Sequence, residues 1–452
     1  MTLKKVTLTT LLALSVAGCA DTAPQMKTEI KAETITAPQV KAAAQALTAD
    51  PAATARIKAL RNRGDIQAAF ADFQSMNDKN IKRLIEITEI PAPPFGEETR
   101  AADFAKRLTA LGLSDVSLDG VGNVIARRKG TEGGRTVAVV AHIDTVFPIE
   151  TDVTVRRDGN VFYAPGIGDN SQGMVAMMSL IEVMETHNIQ TRDDILFVGS
   201  IGEEGLGDLR GVRHLFKDGS PQIDSFIAID GGGLERLVVD AVGSNRYRVT
   251  FSGPGGHSYG AFGRAHPHQA LAEAITRFTD AATPITKLPG VKATFSVGRI
   301  GGGTSINSIP FTSWMEVDMR STDPAKLAKL DGAFQAAMAE ALEVENARRT
   351  SNEALTVEVK SVGKRPAGEG DRGSTLVTNA VAALISEGYA PSLHASSTDS
   401  NIPISLGIPS LTMGRGGISR NAHAPNESWE NKDPHLAYEI LLLTLLTEAG
   451  AN

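Results

Sequence analysis

Two glutamates stand side by side in SIGEEGLGD (residues 200–208), directly after an apolar run. Adjacent ionised carboxylates repel. Where a strand enters a packed interior, that repulsion costs stability unless positive charge lies close. A divalent cation would supply it. Neighbouring side chains diverge in extended or turn backbone, so Glu203 and Glu204 can divide the work. One can bind a cation while the other faces the water that the cation polarises. An exposed acidic turn is the plain alternative.

Three other stretches offer compatible groups. AHIDTVFP presents His142 and Asp144 at i, i+2. On a strand end these can face the same side, letting Asp144 accept the hydrogen bond of the imidazole nitrogen that does not bind metal. Taken alone, the pair equally fits a solvated histidine and a turn-capping aspartate. YAPGIGDNSQGM sets Asp169 between a glycine-rich turn and a helix. Its two oxygens can bridge two cations, although helix capping is an ordinary role for Asp. AIDGGG brings in Asp230, in a composition that also opens common turns.

The elements that must position these groups are legible as runs. TVAVVA (136–141), DILFVGSIG (194–202) and SFIAI (225–229) are continuously apolar and lead into His142, Glu203 and Asp230. Such runs, alternating with helices such as SQGMVAMMSLIEVMETH, predict strands covered on both faces. The C-terminal edge of such a sheet is where open α/β folds bind ligands. Upstream, NIKRLIEITEI spaces Ile81, Leu84, Ile85 and Ile87 on a helical stripe that PAPP breaks, and EETRAADFAKRLTALG forms a second helix. Between 244 and 355 the texture changes. RYRVTFSG, a helix from His268 to about Ala281, KATFSVGRI, TSWMEVDMRS, the helix PAKLAKLDGAFQAAMAEALE and ALTVEVKSV read as a split β-α-β unit. A helix GSTLVTNAVAALISEG, a strand PSLTMG and a last helix HLAYEILLLTLLTEAG close the first domain.

The expected fold is therefore α/β: a mixed, mostly parallel sheet with helices on both faces, plus an inserted α+β ferredoxin-like domain. The expected divisions are a signal segment at 1–20, a tether at 21–51, the α/β domain at 52–243 and 356–452, and the insertion at 244–355. A chain of 452 residues with 21% charged and 42% hydrophobic residues fits this plan. Its net charge of −7, with no basic stripe or stacking-aromatic module, gives no reason to expect nucleic acid.

The N-terminus MTLKKVTLTTLLALSVAGCADTAP has two lysines, a short apolar stretch and small residues before Cys19, the layout of a secretory signal. VAGC resembles the bacterial lipobox, in which Cys19 becomes the acylated first residue. Cleavage after Ala20, leaving a soluble periplasmic protein, is the alternative. Either places the protein in the bacterial cell envelope. Cys19 is the single cysteine, so no intramolecular disulfide can form.

AHIDTV, GIGDNSQGM, GEEGLGD, AIDGG and the late NAHAPNE occur in the order found in the co-catalytic di-zinc family of aminoacylases, carboxypeptidases, tripeptidases and acetylornithine or succinyl-diaminopimelate deacylases. The chain resembles that family over roughly residues 75 to 450, most closely its tripeptidase-like branch. The resemblance implies that His142 and Asp230 hold one metal, Glu204 and His423 the other, and Asp169 bridges them. It implies Glu203 as general base and Asp144 as the acid that orients His142. The insertion corresponds to the family's lid or dimerisation domain. His257 in SGPGGHSYGAFG would reach a catalytic site, often the partner subunit's, and stabilise the oxyanion. Asn307 and Arg320 resemble positions that hold the substrate backbone or carboxylate, and Arg415 is a further carboxylate-binding candidate. Asn307 and Arg320 can equally be structural, and Arg415 ranks below them as a binder. The remaining six histidines show no ligand spacing, and Asp399 in SSTDSN can line the site without an assignable role.

With nitrogen and oxygen donors and no thiolate, zinc is the leading metal, with cobalt or manganese as alternatives. The expectation is a di-metal hydrolase of amide bonds acting as an exopeptidase on short peptides, with N-acyl-amino-acid deacylation as the alternative within the same chemistry and a homodimer formed through the lid. An envelope solute-binding lipoprotein is the alternative of another class.

Overall fold

The computed structural model describes residues 47–451. The signal segment, Cys19 and the tether up to residue 46 lie outside the described residues. The helix Pro51–Arg61 starts where Asp50 caps it, accepting from the Ala53 N–H at 2.8 Å. It buries Ala53, Ile57 and Leu60 in the main core.

A nine-stranded sheet forms the larger layer. Thr136–His142 lies at its centre, parallel to Asp194–Ser200 on one side and Ser225–Ile229 on the other. Ser410–Met413 continues the parallel run, and Val124–Arg128 pairs antiparallel at the other end. All seven residues of Thr136–His142 are buried, because side chains alternating along the strand enter two cores. Val137, Val139 and Ala141 pack into the core with the helices Gln172–Thr186 and His435–Glu448. Ala138 and Val140 face Leu209, Val212 and Ile402 on the other side. That double burial is why these strands read as unbroken apolar runs.

The second sheet is antiparallel, in the order Ala293–Gly302, Thr312–Ser321, Gly243–Ser252, Thr356–Arg365. It has only one covered face. Val249, Phe251, Met315, Val317 and Met319 pack with Phe278 and Phe334 of the helices Pro267–Thr286 and Pro324–Arg348. The alternate residues Arg246, Arg248, Glu316, Asp318 and Arg320 remain on the open face, which gives this sheet its strict alternation. The first helix outruns its expected end near Ala281 and includes Pro284; the missing N–H falls within the last turn, where one lost bond is tolerated.

Two small features have no period long enough to read in sequence. Arg156–Asp158, Val161–Tyr163, Ser428–Glu430 and Ile418–Arg420 form a four-stranded antiparallel sheet. It fastens the turn carrying His423 to the segment leading into Asp169. Gly256–His257 pairs with Ser308–Ile309 in a two-stranded ribbon at the end of the second sheet.

Candidate metal centre

His142 is the last residue of its strand. Its Nδ1 lies 3.0 Å from the backbone carbonyl of Asp144 and donates to it, which turns Nε2 toward Asp169 and Asp230. The Asp144 carboxylate is 3.8 Å from the ring and does not take the expected orienting bond. It is claimed instead by two N–H groups, those of Glu203 at 3.0 Å and Glu204 at 2.8 Å. Asp144 therefore orients His142 through its main chain and shapes the glutamate loop through its side chain.

Asp169 is fixed from three directions. Glu427, buried, accepts from the N–H groups of Gly166, Gly168 and Asp169, each at 2.9 Å. Asn170 donates to the Ile229 carbonyl at 2.9 Å, tying this loop to the strand that ends beside Asp230. The helix beginning at Gln172 approaches that strand so closely that a Cβ at Gly173 would lie 2.6 Å from the Ile229 oxygen. Arg415 reaches Asp169 at 3.1 Å and Asp230 at 2.7 Å and is itself buried. Arg415 thus stands as a buried counter-charge behind the two acids.

The groups that converge form two sets around Asp169. His142 Nε2 is 3.2 Å from Asp169 Oδ1 and 4.0 Å from Asp230 Oδ2. His423 Nε2 is 3.3 Å from Asp169 Oδ2 and 2.8 Å from Glu204 Oε1. In each set the ligand atoms lie within 4.8 Å of one another, and a third set joins His142, Glu203 and Glu204. Two ligands about 2.0–2.1 Å from a tetrahedral zinc stand about 3.3 Å apart, so the Asp169 contacts match the edge of such a site. The residues present fit a pair of divalent cations.

The electrostatics agree. Burial lifts Glu204 to about 7 and Asp230 to about 6. Burial also acts against Asp169, but the charge of Arg415 and hydrogen bonds from His142 and His423 hold it well below the usual carboxylate range. The hydrogen bonds to Asp169 and Glu204 raise His423 to about 10. For His142, burial is outweighed by the Asp169 hydrogen bond and the charges of Asp230, Asp169 and Glu203, and its proton is retained well above the ordinary range. Protonated imidazoles here occupy the electrostatic role of cations among crowded acids.

Glu203 presents a carboxylate oxygen within 4.8 Å of both Glu204 and His142. Its Oε1 is 2.9 Å from Arg365 Nη1, and Arg365 Nη2 donates to the Glu203 carbonyl. Below it, Asp399 accepts from the Ser200 hydroxyl at 2.5 Å, and burial followed by the charge of Glu203 raises it to about 8.

All of this opens into a cleft of about 710 Å³ whose walls include Asp169, Glu203, Glu204, Asp230 and His423. The open face of the second sheet contributes Arg246, Asp318 and Arg320, so Arg320 does face the site. His257 and Asn307 do not line this cleft. They lie on the exposed ribbon, with Asn307 accepting from the Ser258 N–H through its carbonyl at 2.9 Å. Sequence reasoning missed Glu427, Arg365 and Arg236. Glu427 lay inside the quoted NAHAPNE and could have been found there; the two arginines carry no local signal.

The chain is similar to several known proteins. A Bacillus subtilis protein, YqjE, is 24% identical over 287 residues, 59% of this chain and 73% of its own length. Carboxypeptidase G2 of a Pseudomonas species is 24% identical over 326 residues, 70% and 74% of the two chains. A tripeptidase from Staphylococcus aureus has the same fold, with a TM-score of 0.66 at 21% identity over 82% of this chain and 98% of that one. The sequence profile of peptidase family M20/M25/M40 matches residues 138–447, a span that runs from the strand bearing His142 into the final helix. The chain belongs to that family and is a hydrolase of its peptidase and amidohydrolase group.

Proposed function

We propose that the protein is a di-zinc exopeptidase that hydrolyses an amide bond of short peptides. The observation that carries this reading is Asp169, whose two oxygens face two separate imidazoles, with Glu203 lining the same cleft and paired to Arg365. His142 and Asp230 would hold one ion, Glu204 and His423 the other, and Asp169 both. Bound there, two divalent cations would polarise the amide carbonyl and acidify the attacking water. The nitrogen and oxygen donors favour zinc, with cobalt or manganese as alternatives.

The chain's own residues divide the remaining work. Glu203 takes the proton of the attacking water and delivers it to the leaving amine nitrogen. Arg365 holds that carboxylate in place from behind. Arg320 offers a planar fork to a substrate carboxylate. A cleft of about 710 Å³ suits a di- or tripeptide.

The reading includes a homodimer through the second sheet's unit, residues 244–355. His257 Nδ1 accepts from the N–H groups of Tyr259 and Gly260 at 3.2 and 3.3 Å, so Nε2 carries the proton. An exposed Nε2–H donor suits an oxyanion in a neighbouring subunit's cleft. Exposed Tyr259, Phe262, Ile306 and Phe311 surround it. The leader pattern supports attachment to the envelope through Cys19, which loss of lipid labelling in Cys19→Ser would test.

The deciding experiment is metal analysis of the purified protein together with a screen of di- and tripeptides blocked at either end. Loss of cleavage on amino blocking indicates an aminopeptidase, and loss on carboxyl blocking a carboxypeptidase. Preference for acylated single amino acids would replace the exopeptidase with the deacylase. Two bound ions without hydrolysis of any of these substrates would overturn the proposal.

A further inference from the structure

One cationic side chain in the cleft has no partner. Arg236 opens the strand Arg236–Ala241, is half-buried, and lines the cleft beside Gly231 and Asp230. Its Nη1 lies 3.3 Å from where a Cβ on Gly231 would stand. Among the described residues no carboxylate forms an ion pair with it and no acceptor forms a hydrogen bond with it. The same side chain also borders an adjacent cleft that includes Asp433 and Lys432. Across the catalytic cleft, Arg246 and Arg320 both bind the single carboxylate of Asp318, at 2.9 and 2.7 Å. That wall therefore carries a second uncompensated positive charge.

A half-buried guanidinium without a counter-ion costs desolvation and gains nothing in return. The one acid whose charge acts on it is Asp230. On the reading above, Asp230 is a metal ligand and its charge is spent on the cation. In the working enzyme Arg236 then loses the one counter-charge that acts on it, a deficit that an incoming anion relieves.

We propose that Arg236 is a specificity-determining residue that binds the side-chain carboxylate of an acidic substrate, while the Arg246–Arg320 wall takes a second carboxylate. The substrate class is a short peptide or acylated amino acid containing aspartate or glutamate, with two carboxylates set apart from the scissile amide. A guanidinium is apt for this because its donors match both oxygens of one carboxylate. An uncharged isostere leaves the same donors buried and unpaired, and sites of that kind discriminate strongly.

This inference rests on the hydrolase reading for its catalytic arm, so the test has two arms. In the first, the metal-loaded full-length protein is assayed on matched pairs: Ala-Glu against Ala-Gln, Glu-Ala against Gln-Ala, and N-acetylglutamate against N-acetylglutamine. For at least one pair the acidic member should have a kcat/KM about tenfold or more above its amide counterpart. Arg236→Gln should lower that ratio about tenfold, and Arg236→Lys should restore part of it. Equal rates within every pair, or an Arg236→Gln loss of the same size on both members, would overturn the inference. In the second arm, calorimetry compares glutarate with butyrate on the metal-loaded protein. Glutarate should bind more tightly, and Arg236→Gln should remove that advantage. This arm requires no turnover, so if no substrate is cleaved the exopeptidase proposal fails while glutarate binding still decides the role of Arg236. Equal binding of the two acids by the parent protein would refute it.

Discussion

The floor of the cleft and the wall opposite it are built on different terms. On the floor the groups behind the acids are committed to partners. Both oxygens of Asp144 accept from the glutamate loop, Glu427 accepts three N–H groups, and Arg415 bridges Asp169 and Asp230. On the wall Arg246 and Arg320 share one carboxylate, and Tyr259, Phe262 and Ile306 on the nearby ribbon stand exposed. A densely connected buried polar network restrains the geometry of its members. Partly satisfied groups on an open sheet face are available to a substrate or a second subunit. Chemistry is assigned to the floor, and selectivity to the wall together with Arg236 at the floor's edge.

The largest effect expected from breaking that division is at Glu203. Glu203→Ala should cut turnover about 10³-fold, within the range for general acid–base groups, while retaining both metals by elemental analysis. Unchanged hydrolysis would remove Glu203 from its role. Arg415→Met should come next. It leaves Asp169 and Asp230 facing each other without their buried guanidinium, at a cost of about 3–5 kcal/mol in the metal-free protein. Urea unfolding in chelator measures this, and a loss under about 1 kcal/mol would show that the network is not the floor's support.

The floor should also be proton-sensitive. His423, raised to about 10, and Glu204 and Asp230, raised to about 7 and 6, hold protons that a metal must displace. More protons are held as pH falls, so metal affinity should drop by about tenfold or more per unit between pH 8 and 6, as the linkage of metal and proton binding requires. Affinity that is flat over this window would contradict the ligand set. The wall and ribbon predict a gentler result. If His257 acts across subunits, mixing inactive Glu203→Ala and His257→Ala proteins should regain about a quarter of parent activity, since half the dimers are mixed and each has one intact site. No recovery after subunit exchange would place His257 elsewhere. Smallest of all, the exposed Lys82–Glu86 pair at 3.8 Å should contribute under about 0.5 kcal/mol when Lys82 is replaced by Ala.

What could be read from sequence follows the same boundary. The strands ending at His142 and before Asp230 were visible because burial on both faces forbids polar residues. Asp169, Glu203 and Glu204 were visible because they sit where those strands and loops deliver side chains to one edge. The alternation of Thr312–Ser321 likewise announced a sheet with one open face. The pairing of Arg415 with two aspartates was not legible, because an arginine looks the same in sequence whether it awaits a ligand or neutralises acids. Asp144 was half right: the i, i+2 spacing brings it to His142, but a loop 59 residues away competes for its carboxylate. Arg365 and Arg236 were missed because they reach the cleft from strands whose own patterns carry no mark of it. The three-residue strands around His423 were too short to show a period.

The central claim is that Asp169 is shared by two cations. Anomalous diffraction from crystals of the zinc-loaded protein tests it most directly. The account predicts two peaks about 3.5–4 Å apart, one beside His142 and Asp230 and the other beside Glu204 and His423, with Asp169 between them and Glu203 bonded to neither. A single ion, or ions seated away from Asp169, would contradict it.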